Sequence, residues 1–159
     1  MTKNEESIME NAQAMVEAFH RMFEIVVQEA PALVDDQTRG LRIRLIHEEF
    51  EELKEAMAKN DLVGIAKEMA DLLYVVYGTA VSYGIDMDAV FREVHRSNMS
   101  KVGGYKREDG KWVKPATYSP AAIEPILAEQ VGVQNERQGE SSDRVLGNGL
   151  SPVELRAGQ

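Results

Sequence analysis

Residues 46–56, IHEEFEELKEA, carry five glutamates, Glu48, Glu49, Glu51, Glu52 and Glu55, against one local cation, Lys54. Twelve residues further on, a second acidic pair, Glu68 and Asp71, stands inside an apolar run, KEMADLLYVV. Carboxylates brought together repel unless they are solvated, protonated or bridged by a cation. The chain has no cysteine, and oxygen-only ligands suit a hard ion such as Mg²⁺ or Mn²⁺. A ferritin-like di-iron centre would need Glu-x-x-His on two helices. Glu48, Glu49, Glu52 and Glu68 all lack a His three positions on.

The elements that must position these acids read as helices. Over residues 7–29 the apolar side chains Met15, Ala18, Phe19, Met22 and Val26 follow helical spacing. Ser7 is placed to cap that helix, with Glu10 at the capping-box position. Pro31 and VDDQTRG make a loop. A second helix over 38–58 has the stripe Ile46, Phe50, Leu53 and Met57. Asn60 then suits a helix end and Asp61 the N-cap of the next. The third helix, 62–83, has the stripe Ile65, Met69, Leu72 and Val76, and Gly84 stops it. A fourth runs from about Asp86 to Ser100.

So short a connection makes the second and third helices an antiparallel hairpin. Residues equidistant from Asn60 then lie level: Glu52 with Glu68, and Glu49 with Asp71. Within each helix the two acids are three residues apart and share a face. Glu49 lies about 40° from Leu53 on a helical wheel, as Glu68 does from Leu72. The four acids therefore border the packed side, whereas Glu51 and Glu55 point to solvent. Any one of them alone is an ordinary solvated helix residue. Four in mirror register point to a shared cation.

A basic counterpart follows. Residues 96–114 hold Arg96, Lys101, Lys106, Arg107, Lys111 and Lys114 against Glu108 and Asp109. Asn98 and Lys101 continue the stripe of Phe91 and Val94, where apolar residues are expected. A helix end with a snorkelling lysine is one reading. The other is a donor and a cation facing a polar pocket. Divalent metal on one side and lysines on the other make a polyphosphate site. Of His20, His47 and His95, His20 beside Phe19 is the candidate for touching a ligand. Phe19, Phe23, Tyr74, Tyr105 or Trp112 could stack on a base, although aromatics at helical spacing are commonly core.

The chain has 159 residues, 43% hydrophobic and 28% charged, with a formal net charge of −9. That sign opposes binding to a phosphate backbone, so no nucleic-acid partner is expected. The polar, acidic N-terminus has no signal-peptide core, and no stretch of about 18 apolar residues exists. No membrane partner is expected, and a cytoplasmic location is. Asp109-Gly110 between YKRE and KWV suggests a small hairpin. Ser119 and Pro120 suggest a short helix that Pro125 limits. These features divide the chain into a domain over 1–129 and a weakly structured tail over 130–159.

EEFEE fits a Glu-Glu-x-x-Glu signature and EMAD a Glu-x-x-Asp signature. With EVHRSNMSK and DGKWVKP, the region over roughly 15–125 resembles the MazG-like, all-α nucleoside triphosphate pyrophosphohydrolases. The resemblance implies an all-α four-helix core assembled as a homodimer or homotetramer, with the hairpin as an excursion. It implies Mg²⁺, with Mn²⁺ as a substitute, held by Glu49, Glu52, Glu68 and Asp71. It implies that Glu48 binds a further metal or orients the attacking water, and that Asn98 and Lys101 hold the substrate. Lys106, Tyr105 and Arg96 are further carry-overs. The expected activity converts a (d)NTP to (d)NMP and pyrophosphate, as nucleotide-pool housecleaning. The alternatives are a phosphoribosyl-ATP pyrophosphohydrolase and a non-enzymatic helical dimerisation module with solvated acids.

Overall fold

Turn chemistry sets the helix boundaries. In the computed structural model, which describes residues 11–146 and side chains over 11–136, α1 is Ala12–Met22. Its N-cap is Asn11, whose side chain accepts the N–H groups of Gln13 and Ala14. The expected cap at Ser7 lies outside the described residues. The helix also stops short of residue 29. Glu24 turns left-handed at φ 55°, and the Ile25 N–H closes back on the His20 carbonyl at 2.8 Å, a Schellman ending. Val26 therefore belongs to no helical stripe. The segment after Glu24 instead bonds along the end of α3, Leu62–Tyr83. Gln28 N–H donates to the Val81 carbonyl, and Ala32 N–H to that of Tyr83.

The second helix, α2, is Asp36–Ala58, capped by Asp35 on the Thr38 N–H. Asn60 takes φ 53° in the turn to α3, which fits the tolerance of asparagine for left-handed backbone. Asp61 stands at the N-cap of α3 but makes no side-chain cap bond. Gly84 ends α3 at φ 67°, where a Cβ would strike the Ala30 carbonyl. Then come α4, Met87–Met99, and the antiparallel pair β1, Tyr105–Lys106, with β2, Trp112–Val113. Its turn is the expected Asp109-Gly110, with Gly110 at φ 84°.

The last described element, α5, is Ile123–Leu146. It corrects the sequence expectation in two ways. Pro125 falls in the first turn, where its missing N–H leaves no intrahelical bond unmade, so it does not limit the helix. The weakly structured tail expected from residue 130 is helical as far as Leu146. Its polar composition hid anchors such as Gln130, which accepts the Asp86 N–H at 3.0 Å and donates to the Asp86 carbonyl at 3.1 Å.

The architecture is all-α, as expected. Packing is most extensive between α2 and α3, then between α1 and α3; α4 packs on α5 and touches α1–α3 only slightly. Val16, Leu53, Ala56, Ala80 and Val81 form the apolar core, with His20, Arg42 and Ser82 buried among them. No described helix is long and apolar enough to cross a membrane.

Glu93 joins α4 to α5. It accepts the Ala122 N–H at 2.8 Å and two bonds from Arg96 at 2.7 Å each. Arg96, then the Ala122 N–H, lower its pKa from the usual 4.5 to about 2. A depressed carboxylate stabilises the fold above its unfolded pKa, and that contribution disappears as pH falls through the folded one. Glu93→Gln is therefore expected to lower the melting temperature at neutral pH. The gap to wild type should close as pH falls from about 4.5 towards 2. A pH-independent gap in thermal melts would contradict this.

Candidate metal centre

The acids converge because the hairpin register holds. One carboxylate oxygen from each of Glu49, Glu68 and Asp71 lies within 4.8 Å of the others. Glu49 comes from α2, Glu68 and Asp71 from α3. All three are half-buried. Glu52, the fourth acid of the expected quartet, is exposed and stands outside this trio. Its charge is still felt at Glu49. Partial burial first, then the charges of Asp71, Glu52 and Glu68, raise the Glu49 pKa, and Lys67 opposes them. Glu49, Glu68 and Asp71, gathered on carboxylate oxygens alone, are a donor set that fits a hard divalent ion.

Lys67 is the residue that the sequence reading passed over. Its ammonium lies 2.7 Å from Asp71 Oδ2 and 3.0 and 3.1 Å from the two Glu68 oxygens. The signal was present: Lys67 and Asp71 are four apart, a spacing that brings helix side chains together.

The other expected site residues lie elsewhere. Glu48 is exposed on α2, next to Glu49 in sequence and outside the trio. Asn98 and Lys101 meet each other at the end of α4, Lys101 Nζ donating to Asn98 Oδ1 at 2.7 Å. The Lys101 carbonyl accepts from Trp112 Nε1 at 2.8 Å, which ties the hairpin to α4. Tyr105 and Lys106 are exposed on β1. Arg96 has its donors spent on Glu93, Ser119 and the Pro120 carbonyl, a structural arrangement. Among the described residues, no hydrogen bond or ion pair joins these basic groups to Glu49, Glu68 or Asp71.

His20 is only 2% exposed. Its Nδ1 meets the Val26 carbonyl at 3.1 Å, which places the ring proton on Nδ1. Burial first, then the charge of Arg42, lower its pKa, against the bond to Val26. The neutral ring thus stands in the core beside Arg42 and Gly78, two helical turns from the acids. Arg42 was also missed, although it extends the Ile46 stripe back by four residues. It is 5% exposed, and its Nε has no hydrogen-bond partner.

If the trio is the ligand set, Mn²⁺ at a hundred times its Kd stabilises the fold by about 2.7 kcal/mol. Asp71→Asn should lose most of that gain in thermal melts, and Glu52→Gln should keep most of it. Equal losses in the two variants would show that the quartet, not the trio, holds the ion.

The model for the family described as phosphoribosyl-ATP pyrophosphohydrolase matches residues 16–98. That span holds the acids, Lys67, His20, Arg96 and Asn98, and ends before Lys101, Tyr105 and Lys106. The chain is also similar to an uncharacterized protein of Acanthamoeba polyphaga mimivirus, 46% identical over 52 residues, covering 33% of this chain and 21% of that protein. The matched part thus spans about a fifth of the curated relative. With more than half of its length in the family match and the acids of its two signatures meeting across one helical hairpin, the chain belongs to the phosphoribosyl-ATP pyrophosphohydrolase family, within the MazG-like all-α nucleoside triphosphate pyrophosphohydrolases.

Proposed function

We propose that the protein is a divalent-metal-dependent pyrophosphohydrolase that splits a (d)NTP into (d)NMP and pyrophosphate in nucleotide-pool housecleaning. The convergence of Glu49, Glu68 and Asp71 carries this proposal, and the family match supports it. Glu49, Glu68 and Asp71 hold Mg²⁺ or Mn²⁺, with Glu52 adding negative charge at the edge. The ion supplies charge neutralisation and Lewis acidity towards the phosphates. Glu48 takes a proton from the attacking water. Lys101 and Asn98 bind the phosphate chain and stabilise the charge that develops on it. Lys106 and Tyr105 on β1 extend the contact to the rest of the nucleotide.

The name of the matched family favours phosphoribosyl-ATP as a second substrate reading, with the same metal chemistry. A panel of nucleoside triphosphates and phosphoribosyl-ATP, assayed for pyrophosphate with Mg²⁺, separates the two. In either case Glu49→Ala and Asp71→Ala should lose orders of magnitude in rate. Wild-type rates in either variant would show that the acid cluster is not the catalytic centre, and no pyrophosphate release by wild type on any substrate would return the chain to a non-catalytic helical module.

The working unit is a homodimer or homotetramer. Phe91 on α4 is 68% exposed, and Met15, Phe19, Met22, Phe23, Leu73 and Tyr74 leave an apolar surface across α1 and α3. Continuous apolar surface of that kind marks an interaction face. A second copy would also bring Lys101 and Asn98 to the acids that their own α4 scarcely approaches. Mixing two inactive variants, Asp71→Ala and Lys101→Ala, should then restore part of the activity. Co-assembled but inactive mixtures would show that each site is built within one chain.

A further inference from the structure

A site made for a divalent ion already holds a monovalent one. The Lys67 ammonium reaches three oxygens of the acid cluster, at 2.7, 3.0 and 3.1 Å. It engages Asp71 and both oxygens of Glu68, two of the three residues that converge. The remaining member, Glu49, has no hydrogen bond to a cation among the described residues.

We propose that Lys67 is a resident counter-ion of the metal-free site, and that a divalent cation loads by displacing its ammonium from Glu68 and Asp71. This rests on the metal-dependent reading above and adds a competitor built into the chain. Three features support it. First, an ammonium bonded to these oxygens and a divalent ion ligated by them would stand within a few ångströms of each other and repel. Second, one positive charge incompletely offsets the cluster, so an ion of twice the charge gains more from the same oxygens. Third, the Lys67 side chain is 63% exposed, and a flexible lysine released from its partners is readily rehydrated.

A lysine ammonium is charged at neutral pH, so the competitor is present whenever the side chain reaches these oxygens. Its effect is to offset part of the acids' mutual repulsion without metal and to raise the metal concentration at which they load. Lys54 supplies the contrast. It carries the same charge on the neighbouring helix, but it pairs with Glu51 at 2.7 Å, outside the trio.

Calorimetric titration of Mn²⁺ into metal-free wild type, Lys67→Met and Lys54→Met tests this. Removing the competing ammonium is expected to tighten the Mn²⁺ Kd of Lys67→Met by up to about tenfold. Lys54→Met should stay within about twofold of wild type, since its partner is not a ligand. In thermal melts with chelator, Lys67→Met should melt lower than wild type, and saturating Mn²⁺ should close the gap. Lys67→Arg, which keeps the charge and the pairing, should gain no affinity and provides a second variant if Lys67→Met fails to fold. Equal affinities for wild type and Lys67→Met, or an equal gain in Lys54→Met, would overturn the displacement while leaving the metal site intact. Absence of Mn²⁺ binding in every variant would overturn both.

Discussion

Like charges held at close quarters are the constraint on which the site depends. Glu49, Glu68 and Asp71 would separate if their side chains alone decided the matter. They stay together because the α2–α3 hairpin is fixed by packing that the acids do not provide. Leu53 and Ala56 on α2 are buried at the seam, and Asn60 takes the left-handed conformation that turns one helix back onto the other. The apolar seam does the work of assembly, and the acids accept the geometry that results.

The same seam carries the opposite problem two turns away. Arg42 lies level with Gly78 just as Glu49 lies level with Asp71. A Cβ on Gly78 would come within 2.8 Å of Arg42 Nη1 and 2.9 Å of His20 Nε2. Glycine is needed there so that α3 can pass close to two bulky polar side chains. Burial lowers the pKa of Arg42, and no described carboxylate pairs with it. One hairpin therefore gathers negative charge along its middle and buries a positive charge nearer its open end. The α4 arm is held to α5 and the segment before it by Glu93, Arg96 and Gln130, and at its start to Asn11 and Gln13 at the head of α1.

Much of this was legible in the sequence because it follows from register. A short break at Asn60, helical spacing on both sides and acids equidistant from the break were enough to bring Glu49, Glu68 and Asp71 together. Gly84, Asp86 and Asp109-Gly110 marked boundaries by their own turn chemistry, and the structure keeps them. What stayed hidden depended on tertiary partners. The early end of α1 at Met22 follows from the extended strand-like segment that bonds to Val81 and Tyr83, and no local signal announces it. The helical run past residue 130 depends on anchors such as Gln130, whose partner is the distant Asp86 backbone. Lys67 and Arg42 were visible as spacing but went unread, because a lysine just ahead of two acids and an arginine on an apolar stripe both look like ordinary surface residues. Only the observed ion pairs and burial distinguish them.

The most direct test of the central claim is a crystal grown with Mn²⁺ and examined for its anomalous signal. The account predicts a peak bounded by the carboxylates of Glu49, Glu68 and Asp71, with the Lys67 ammonium moved off them. Crystals saturated with Mn²⁺ that show no peak there, and Lys67 still seated on Glu68 and Asp71, would contradict it.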